Sequence, residues 1–250
     1  SASIRSQYLN GSFGTFTAEC STTPLLSSVG VSFIHMKIKL NKKLDKEVYL
    51  AFYDAVVGGA DFGKKIRDDH PNLTEENYIE YIDNFYVANK DKLESVLQDT
   101  DMCFSEIEGL LYGELKKYFG KDYSKENYTC YLSIFNCNPR YLENKSFQVY
   151  YNRSHDMRKE VIAHELTHFA FYDFCNELKI ENDNNLWELS EIFNVIFLNF
   201  PSIQKAIGAE ELLFYPDLKD KLEEIKKNWT EQAEAEEFIK ISIQYLQSLK

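Results

Sequence analysis

The segment VIAHELTHFA (residues 161–170) carries two of the five histidines of the chain, His164 and His168, which are four positions apart. Apart from Glu165, the other residues of the segment are uncharged. A helix turns about 100° per residue, so side chains four positions apart lie on one face, and two imidazoles placed there can share a metal ion. Glu165 projects from the same edge, where a carboxylate can contact a water bound to that ion. The segment therefore predicts a buried helix with a metal site; the alternative is a packed helix that happens to carry two imidazoles.

These residues resemble the signature of zincin metallopeptidases, in which an uncharged, apolar frame surrounds an HExxH motif. The resemblance covers residues 161–195. It implies that His164 and His168 bind one Zn²⁺ ion and that Glu165 is the general base for a metal-activated water. The metzincin variant is excluded, because Phe171 and Phe174 stand where its glycine and third histidine belong, and no histidine follows His168.

The segment WELSEIFN (residues 187–194) supplies two acids for the third ligand position, Glu188 and Glu191. Glu188 lies twenty residues beyond His168, which is the spacing of thermolysin-like gluzincins. The resemblance implies that Glu188 binds zinc and that Glu191 orients one of the zinc histidines. The family separates these acids by four positions and this chain by three, so the reverse assignment, with Glu191 as the ligand, stays open.

The resemblance also implies a donor for the oxyanion and a strand for the substrate. Thermolysin-like enzymes stabilise the oxyanion with a histidine or a tyrosine, for which Tyr172, Tyr215 and His155 are the candidates. Zincins pair the extended substrate with an edge strand beside the active-site helix. The segment SFQVYY (residues 146–151) is the candidate for that strand, with an ordinary sheet strand as the alternative.

Composition and periodicity predict an α+β fold that is rich in helix. Large aromatic residues are abundant (18 Phe and 17 Tyr) while helix breakers are few (10 Gly and 5 Pro), which favours long helices. We expect a small mixed or antiparallel sheet packed beside the zincin-type helix, within a mostly helical region 1–121 and a catalytic region 122–250, or within one continuous domain. The predicted strands are residues 34–40, 128–135 and 146–151, and the predicted helices are residues 45–56, 74–99, 104–119, 156–178, 186–198, 218–229 and 231–249.

The charge balance argues against several classes of partner. The net charge is −12, and so acidic a surface repels the phosphates of nucleic acids and of membrane surfaces. No window approaches the roughly 18 consecutive apolar residues that span a bilayer. Five cysteines, an odd number without a CxxC pair, and an N-terminus without a signal-peptide pattern predict reduced thiols and a cytoplasmic location.

Together these features predict a zinc-dependent hydrolase of the gluzincin type, a metallopeptidase that acts on a peptide or protein substrate. One alternative is a non-catalytic, zinc-binding regulatory or interaction protein with a vestigial site. Another keeps the metal but acts on a non-peptide amide or ester.

Overall fold

The computed structural model describes residues 36–57, 59–209, 215–229 and 234–249. It is a helix-rich α+β fold, as predicted. The strands are β1 (Lys37–Leu40), β2 (Val56–Val57), β3 (Ala60–Asp61), β4 (Thr129–Ser133), β5 (Arg140–Tyr141) and β6 (Ser146–Tyr150). The helices are α1 (Lys42–Phe52), α2 (Phe62–Asp69), α3 (Tyr78–Ala88), α4 (Lys90–Phe119), α5 (His155–Glu177), α6 (Asn184–Leu198), α7 (Pro201–Ile207), α8 (Lys219–Asn228) and α9 (Ala235–Ser248).

The main sheet is mixed and has the strand order β1-β4-β6-β5. Strands β1, β4 and β6 run parallel, and β5 is antiparallel to β6. Because β1 pairs with β4, the predicted regions 1–121 and 122–250 share one sheet. They also share one core, in which Phe104 of α4 and Phe169 of α5 are buried in the same cluster.

Strand β6 lies inside the sheet, so the prediction that residues 146–151 form an edge strand for the substrate is wrong. One side of β6 pairs with β4 along the whole length of the strand. On its other side the Gln148 amide donates to the Pro139 carbonyl (3.0 Å), and the Tyr150 amide donates to the Asn138 side chain (3.2 Å). Asn138 has a φ of 45°, and this turn folds residues 138–141 back over the outer edge of β6. The same turn places Arg140 at the start of β5.

The helix predicted at residues 156–178 is α5, and Ser154 caps its N-terminus. The Ser154 hydroxyl accepts a hydrogen bond from the Met157 amide (3.3 Å), which satisfies an otherwise unpaired N–H group of the first turn. Asp183 caps α6 in the same way through the Leu186 amide (3.0 Å). α5 and α6 pack together through apolar side chains, as between Phe171 and Phe193, whose ring centroids are 5.2 Å apart.

The front half of the chain differs from prediction in its helix boundaries. The predicted helices 74–99 and 104–119 are instead divided at Asn89, whose side chain donates to the Phe85 carbonyl (2.9 Å) at the end of α3. Residues 90–119 contain no proline and form one helix through Gly109 and Gly113 up to Gly120, where a φ of 73° ends it. The predicted helix 45–56 ends at Phe52, and Val56 lies in β2. Residues 34 and 35, the first two of the predicted strand 34–40, lie outside the described residues.

The structure bears on two expectations, one about membrane-spanning helices and one about the cysteines. In the described ranges, no helix is long and apolar enough to cross a membrane. Four of the cysteines lie in those ranges, namely Cys103, Cys130, Cys137 and Cys175, and all four are buried and unbridged.

A buried carboxylate joins α1 to the sheet. Asp45 is 1% exposed and accepts hydrogen bonds from the Ser133 hydroxyl (2.6 Å), the Tyr86 hydroxyl (2.7 Å) and the Ile134 amide (3.2 Å). Burial raises the pKa of Asp45 to about 6, against the opposing effect of these donors. The folded state therefore holds the proton of the Asp45 carboxyl group more tightly than the unfolded chain does.

We expect Asp45 to make stability depend on pH between about 4 and 6. Because its folded pKa is raised, its contribution is fully present below the unfolded pKa and is lost as pH rises through about 6. The free energy of unfolding should fall by about 3 kcal/mol at most across this window. The measurement is chemical denaturation of the wild type and of Asp45→Asn at several pH values. Parallel pH profiles for the two proteins would contradict the assignment, whatever their constant offset.

Candidate metal centre

Three side chains from α5 and α6 converge on one point. The Nε2 atoms of His164 and His168 lie 2.9 Å apart. From α6, the Glu191 carboxylate places Oε1 at 3.3 Å from His168 Nε2 and Oε2 at 3.6 Å from His164 Nε2. All three side chains are buried, so the polar atoms of the site are largely removed from water.

The donor set fits a zinc ion. Tetrahedral Zn²⁺ with nitrogen and oxygen ligands at about 2.0–2.1 Å separates those ligands by roughly 3.3–3.4 Å. The observed separations of 2.9, 3.3 and 3.6 Å lie around that value. Burial lowers the pKa of both histidines well below its usual range, so the imidazoles are neutral, as metal binding requires.

The Glu191 carboxylate distinguishes this site from a packed helix with two imidazoles. A single N–H···N hydrogen bond would account for the two histidines alone. Glu191 is 3% exposed, however, and its Oε2 has no hydrogen-bond partner among the described residues. Burying such a carboxylate is costly unless a cation compensates it. The imidazoles are neutral, and the nearest cation, Arg140, lies 3.8 Å from Oε1 and is hydrogen-bonded to Glu165 instead. The residues present therefore suit a bound cation.

Glu191, and not Glu188, lies beside the histidines, which corrects the preference for Glu188 as the third ligand. The Glu188 Oε2 atom instead lies 2.5 Å from Lys221 Nζ on α8. Residues three positions apart on a helix point about 60° apart, so the two acids face different neighbours. The packing of α6 directs Glu191 toward α5. This position agrees with the alternative assignment, in which Glu191 is the third ligand.

Glu165 lies beside this centre in an ion pair with Arg140. Its Oε2 is 2.9 Å from Arg140 Nη1, while Arg140 Nη2 is 3.8 Å from Glu191 Oε1. Burial raises the pKa of Glu165 to about 7, with Arg140 opposing the rise and Glu191 adding to it. Burial alone would lower the pKa of Arg140, but the charges of Glu165 and Glu191 outweigh that effect and raise it.

Arg140 is the residue that the sequence interpretation missed. It belongs to no motif, and it stands 25 residues before Glu165. The local signal is the pair Asn138-Pro139, which marks a turn between two strands. That signal predicts the turn but not which helix the next side chain contacts.

The three candidate oxyanion donors are placed differently. Tyr172 lies near the centre: its ring stacks on His168 (centroids 6.2 Å apart), and its hydroxyl is 3.1 Å from the Ser190 hydroxyl. Tyr215 lines the adjacent cavity and packs against Trp187, with ring centroids 5.6 Å apart.

His155 is not brought to the centre. Its Nδ1 lies 2.9 Å from Asp99 and 3.3 Å from the Cys103 sulfur, and its Nε2 lies 3.1 Å from Glu106. Hydrogen bonds that its ring donates to Asp99 and Glu106 raise the pKa of His155. Asp99, Cys103 and His155 form a second group of possible metal ligands. Asp99 also pairs with Arg158, so cationic side chains already compensate the negative charge of this group. His155 therefore joins α5 to α4 and has no contact with the proposed zinc ligands.

A cavity of about 100 Å³ opens beside the centre. Its polar lining includes His164, Glu165 and Glu191, with Arg140 and Tyr215. The other walls are mostly apolar and aromatic. The lining residues are Phe52, Val57, Phe62, Cys137, Asn138, Pro139, Arg140, Leu142, His164, Glu165, Tyr172, Asn182, Trp187, Glu191 and Tyr215.

Comparison with known proteins identifies no relative of the chain. No family model matches the chain, and no curated protein and no solved structure shows significant similarity to it. The chemical description of the site therefore rests on the residues of the chain and on their geometry.

Proposed function

We propose that the protein is a zinc-dependent hydrolase, a metallopeptidase of the gluzincin type, in which His164, His168 and Glu191 hold one Zn²⁺ ion. The observation that carries this proposal is the convergence of the three ligand atoms beside Glu165 and an open cavity. When bound, a zinc ion lowers the pKa of its water and polarises a carbonyl group. The HExxH spacing supports the same assignment from the sequence.

Glu165 is the general base of this proposal. Arg140 holds its Oε2 atom, which leaves Oε1 to accept a proton from the attacking water and to pass it to the leaving amine. The ion pair also restrains the carboxylate in one orientation, which reduces the entropy lost at the moment of reaction.

The phenol groups of Tyr172 and Tyr215 are suitable donors to a developing oxyanion. Burial raises the pKa of both hydroxyls, so they stay protonated at neutral pH and can donate. The Tyr172 hydroxyl is already engaged by the Ser190 hydroxyl, and Tyr215 lines the cavity. Tyr215 is therefore the better placed of the two to serve a substrate in the cavity.

A second candidate function is a non-catalytic zinc-binding regulatory protein. The observation that favours it is the ion pair between Glu165 and Arg140, since Glu165 is buried, Arg140 is only 15% exposed and the base is already engaged. Such a protein would retain zinc and bind a partner without cleaving it. Zinc content and hydrolysis measured on the same sample separate the two candidates.

Zinc is expected to stabilise the folded protein. A ligand that binds only the native state at 100 times its dissociation constant adds about 2.7 kcal/mol, which raises the melting temperature by roughly 5–10 °C for a chain of this size. The measurement is thermal unfolding of chelator-treated protein with and without added zinc, together with metal content by mass spectrometry. His164→Ala should abolish both the bound metal and the shift.

His155→Gln is the matched control, because it removes a histidine of the same helix outside the centre. It should retain stoichiometric zinc and the full thermal shift. A wild-type protein that folds normally, binds no zinc and shows no shift would overturn the proposed function. Zinc binding without cleavage of any member of a broad peptide library would favour the second candidate.

A further inference from the structure

Among the described residues, the neighbours of Arg140 use only part of its hydrogen-bond donors. A guanidinium carries five N–H donors, and Glu165 accepts from Nη1. The second contact, from Nη2 to Glu191, spans 3.8 Å and is too long for a hydrogen bond. The Arg140 side chain is 15% exposed and lines the cavity, so its remaining donors are within reach of a ligand.

The charges around the cavity favour an anionic ligand. Arg140 is the only arginine or lysine among the described residues that line it, and Glu165 and Glu191 are the only acids there. When both acids are ionised, the two carboxylates and the one guanidinium carry a net charge of −1. A divalent cation held by the proposed ligands changes the net charge around the cavity to +1. A buried net charge is costly, and a monoanion would compensate it.

The size of the cavity fits one side chain. Its volume of about 100 Å³ is below the ~150 Å³ of an apolar cavity that binds a benzene ring. Phe52, Phe62 and Trp187 provide apolar walls for an aliphatic group. Moreover, the outer edge of β6 is covered by residues 138–141, so an extended peptide cannot pair with that strand as a long substrate would.

We propose that this cavity binds the C-terminal residue of a peptide, with Arg140 as the receptor for its free carboxylate. Arginine binds carboxylates through two parallel hydrogen bonds, which makes it selective for this group. The proposal rests on the proposed function and names its substrate class: peptides with a free C-terminus and an aliphatic last residue.

The position of Arg140 suits cleavage of the last peptide bond. An anion bound by its remaining donors lies roughly 5–7 Å from the Glu165 carboxylate, by ordinary hydrogen-bond lengths. One residue, at most about 3.6 Å along the chain, plus the attacking water spans that distance. In the reaction the C–N bond breaks, the water oxygen adds to the acyl carbon, and the water proton accepted by Glu165 goes to the nitrogen. The products are a shortened peptide acid and a free amino acid.

The test compares an N-acylated dipeptide ending in leucine with its C-terminal carboxamide. The two substrates differ only in the charge that Arg140 would bind. We expect zinc-loaded wild type to cleave the acid with a kcat/KM about 10- to 100-fold above that of the amide, as expected for hydrogen bonds to a charged group. Equal cleavage of acid and amide would overturn the inference and leave the hydrolase assignment standing.

Variants of Arg140 identify the receptor. Arg140→Gln should reduce the acid-to-amide ratio to below about 3, and Arg140→Lys should retain part of it because it keeps the charge. Lys64→Gln removes an exposed cation outside the cavity and should leave the ratio unchanged. An unchanged ratio in Arg140→Gln would overturn the role of Arg140. If the variant does not fold, the wild-type comparison alone still decides whether the carboxylate is recognised.

Binding provides a readout that does not depend on cleavage. Calorimetry with N-acetyl-leucine and N-acetyl-leucine amide should show tighter binding of the acid to zinc-loaded wild type, and no such preference in Arg140→Gln. This result without any peptide cleavage would support the carboxylate receptor while the hydrolase assignment fails. Equal binding of acid and amide would overturn the receptor.

Discussion

Glu165→Gln is expected to retain zinc and to lose peptide hydrolysis by about 10³-fold, within the 10²–10⁴-fold range of general base catalysis. Glutamine keeps the size of the side chain but cannot accept the proton of the attacking water. His164, His168 and Glu191 are untouched, so the zinc stoichiometry should stay that of the wild type. The measurements are the initial rate on a cleaved peptide and the metal content of the same sample.

The ion pair with Arg140 requires a second variant as a control. Glutamine also removes the charge that faces this largely buried guanidinium, which will cost some stability. Glu165→Asp keeps the charge but shortens the side chain, so it should restore much of the stability while activity stays low. Wild-type rates in Glu165→Gln, with zinc bound and the fold intact, would refute the assignment of Glu165 as the base.

Glu191→Gln is expected to weaken zinc binding by more than about 100-fold, whereas Glu188→Gln should change it by less than about 3-fold. The reasoning is geometric, since Glu191 lies 3.3 and 3.6 Å from the two histidines and Glu188 pairs with Lys221. Loss of a residue that only orients a ligand typically costs 10- to 100-fold, so loss of a ligand should cost at least as much. Competition with a chromophoric chelator measures both affinities.

The matched pair makes the comparison informative, because both variants replace one glutamate of the same helix by its neutral isostere. The Glu188 pair is partly exposed, so its loss should cost no more than about 1 kcal/mol of stability. If Glu188→Gln loses zinc and Glu191→Gln retains it, the third ligand is the one that sequence spacing favoured.

Local periodicity was sufficient to predict the helical half of the site. His164 and His168 share a face of α5 because they are four residues apart, and Ser154 begins that helix through its own side chain. The helix-rich α+β class likewise followed from aromatic residues and few breakers. Where local signals were weak, as at the division between α3 and α4, the predicted boundary was wrong.

The rest of the site depends on tertiary packing. Glu188 and Glu191 lie on one helix, and only the rotation of α6 against α5 decides which of them meets the histidines. Arg140 reaches Glu165 because the turn at Asn138 folds β5 over the edge of β6. The sequence by itself thus determined the residues that depend on neighbours within one or two helical turns. Contacts between residues far apart along the chain were decided by how the elements pack, since local propensity carries no information about the rotation of one element against another.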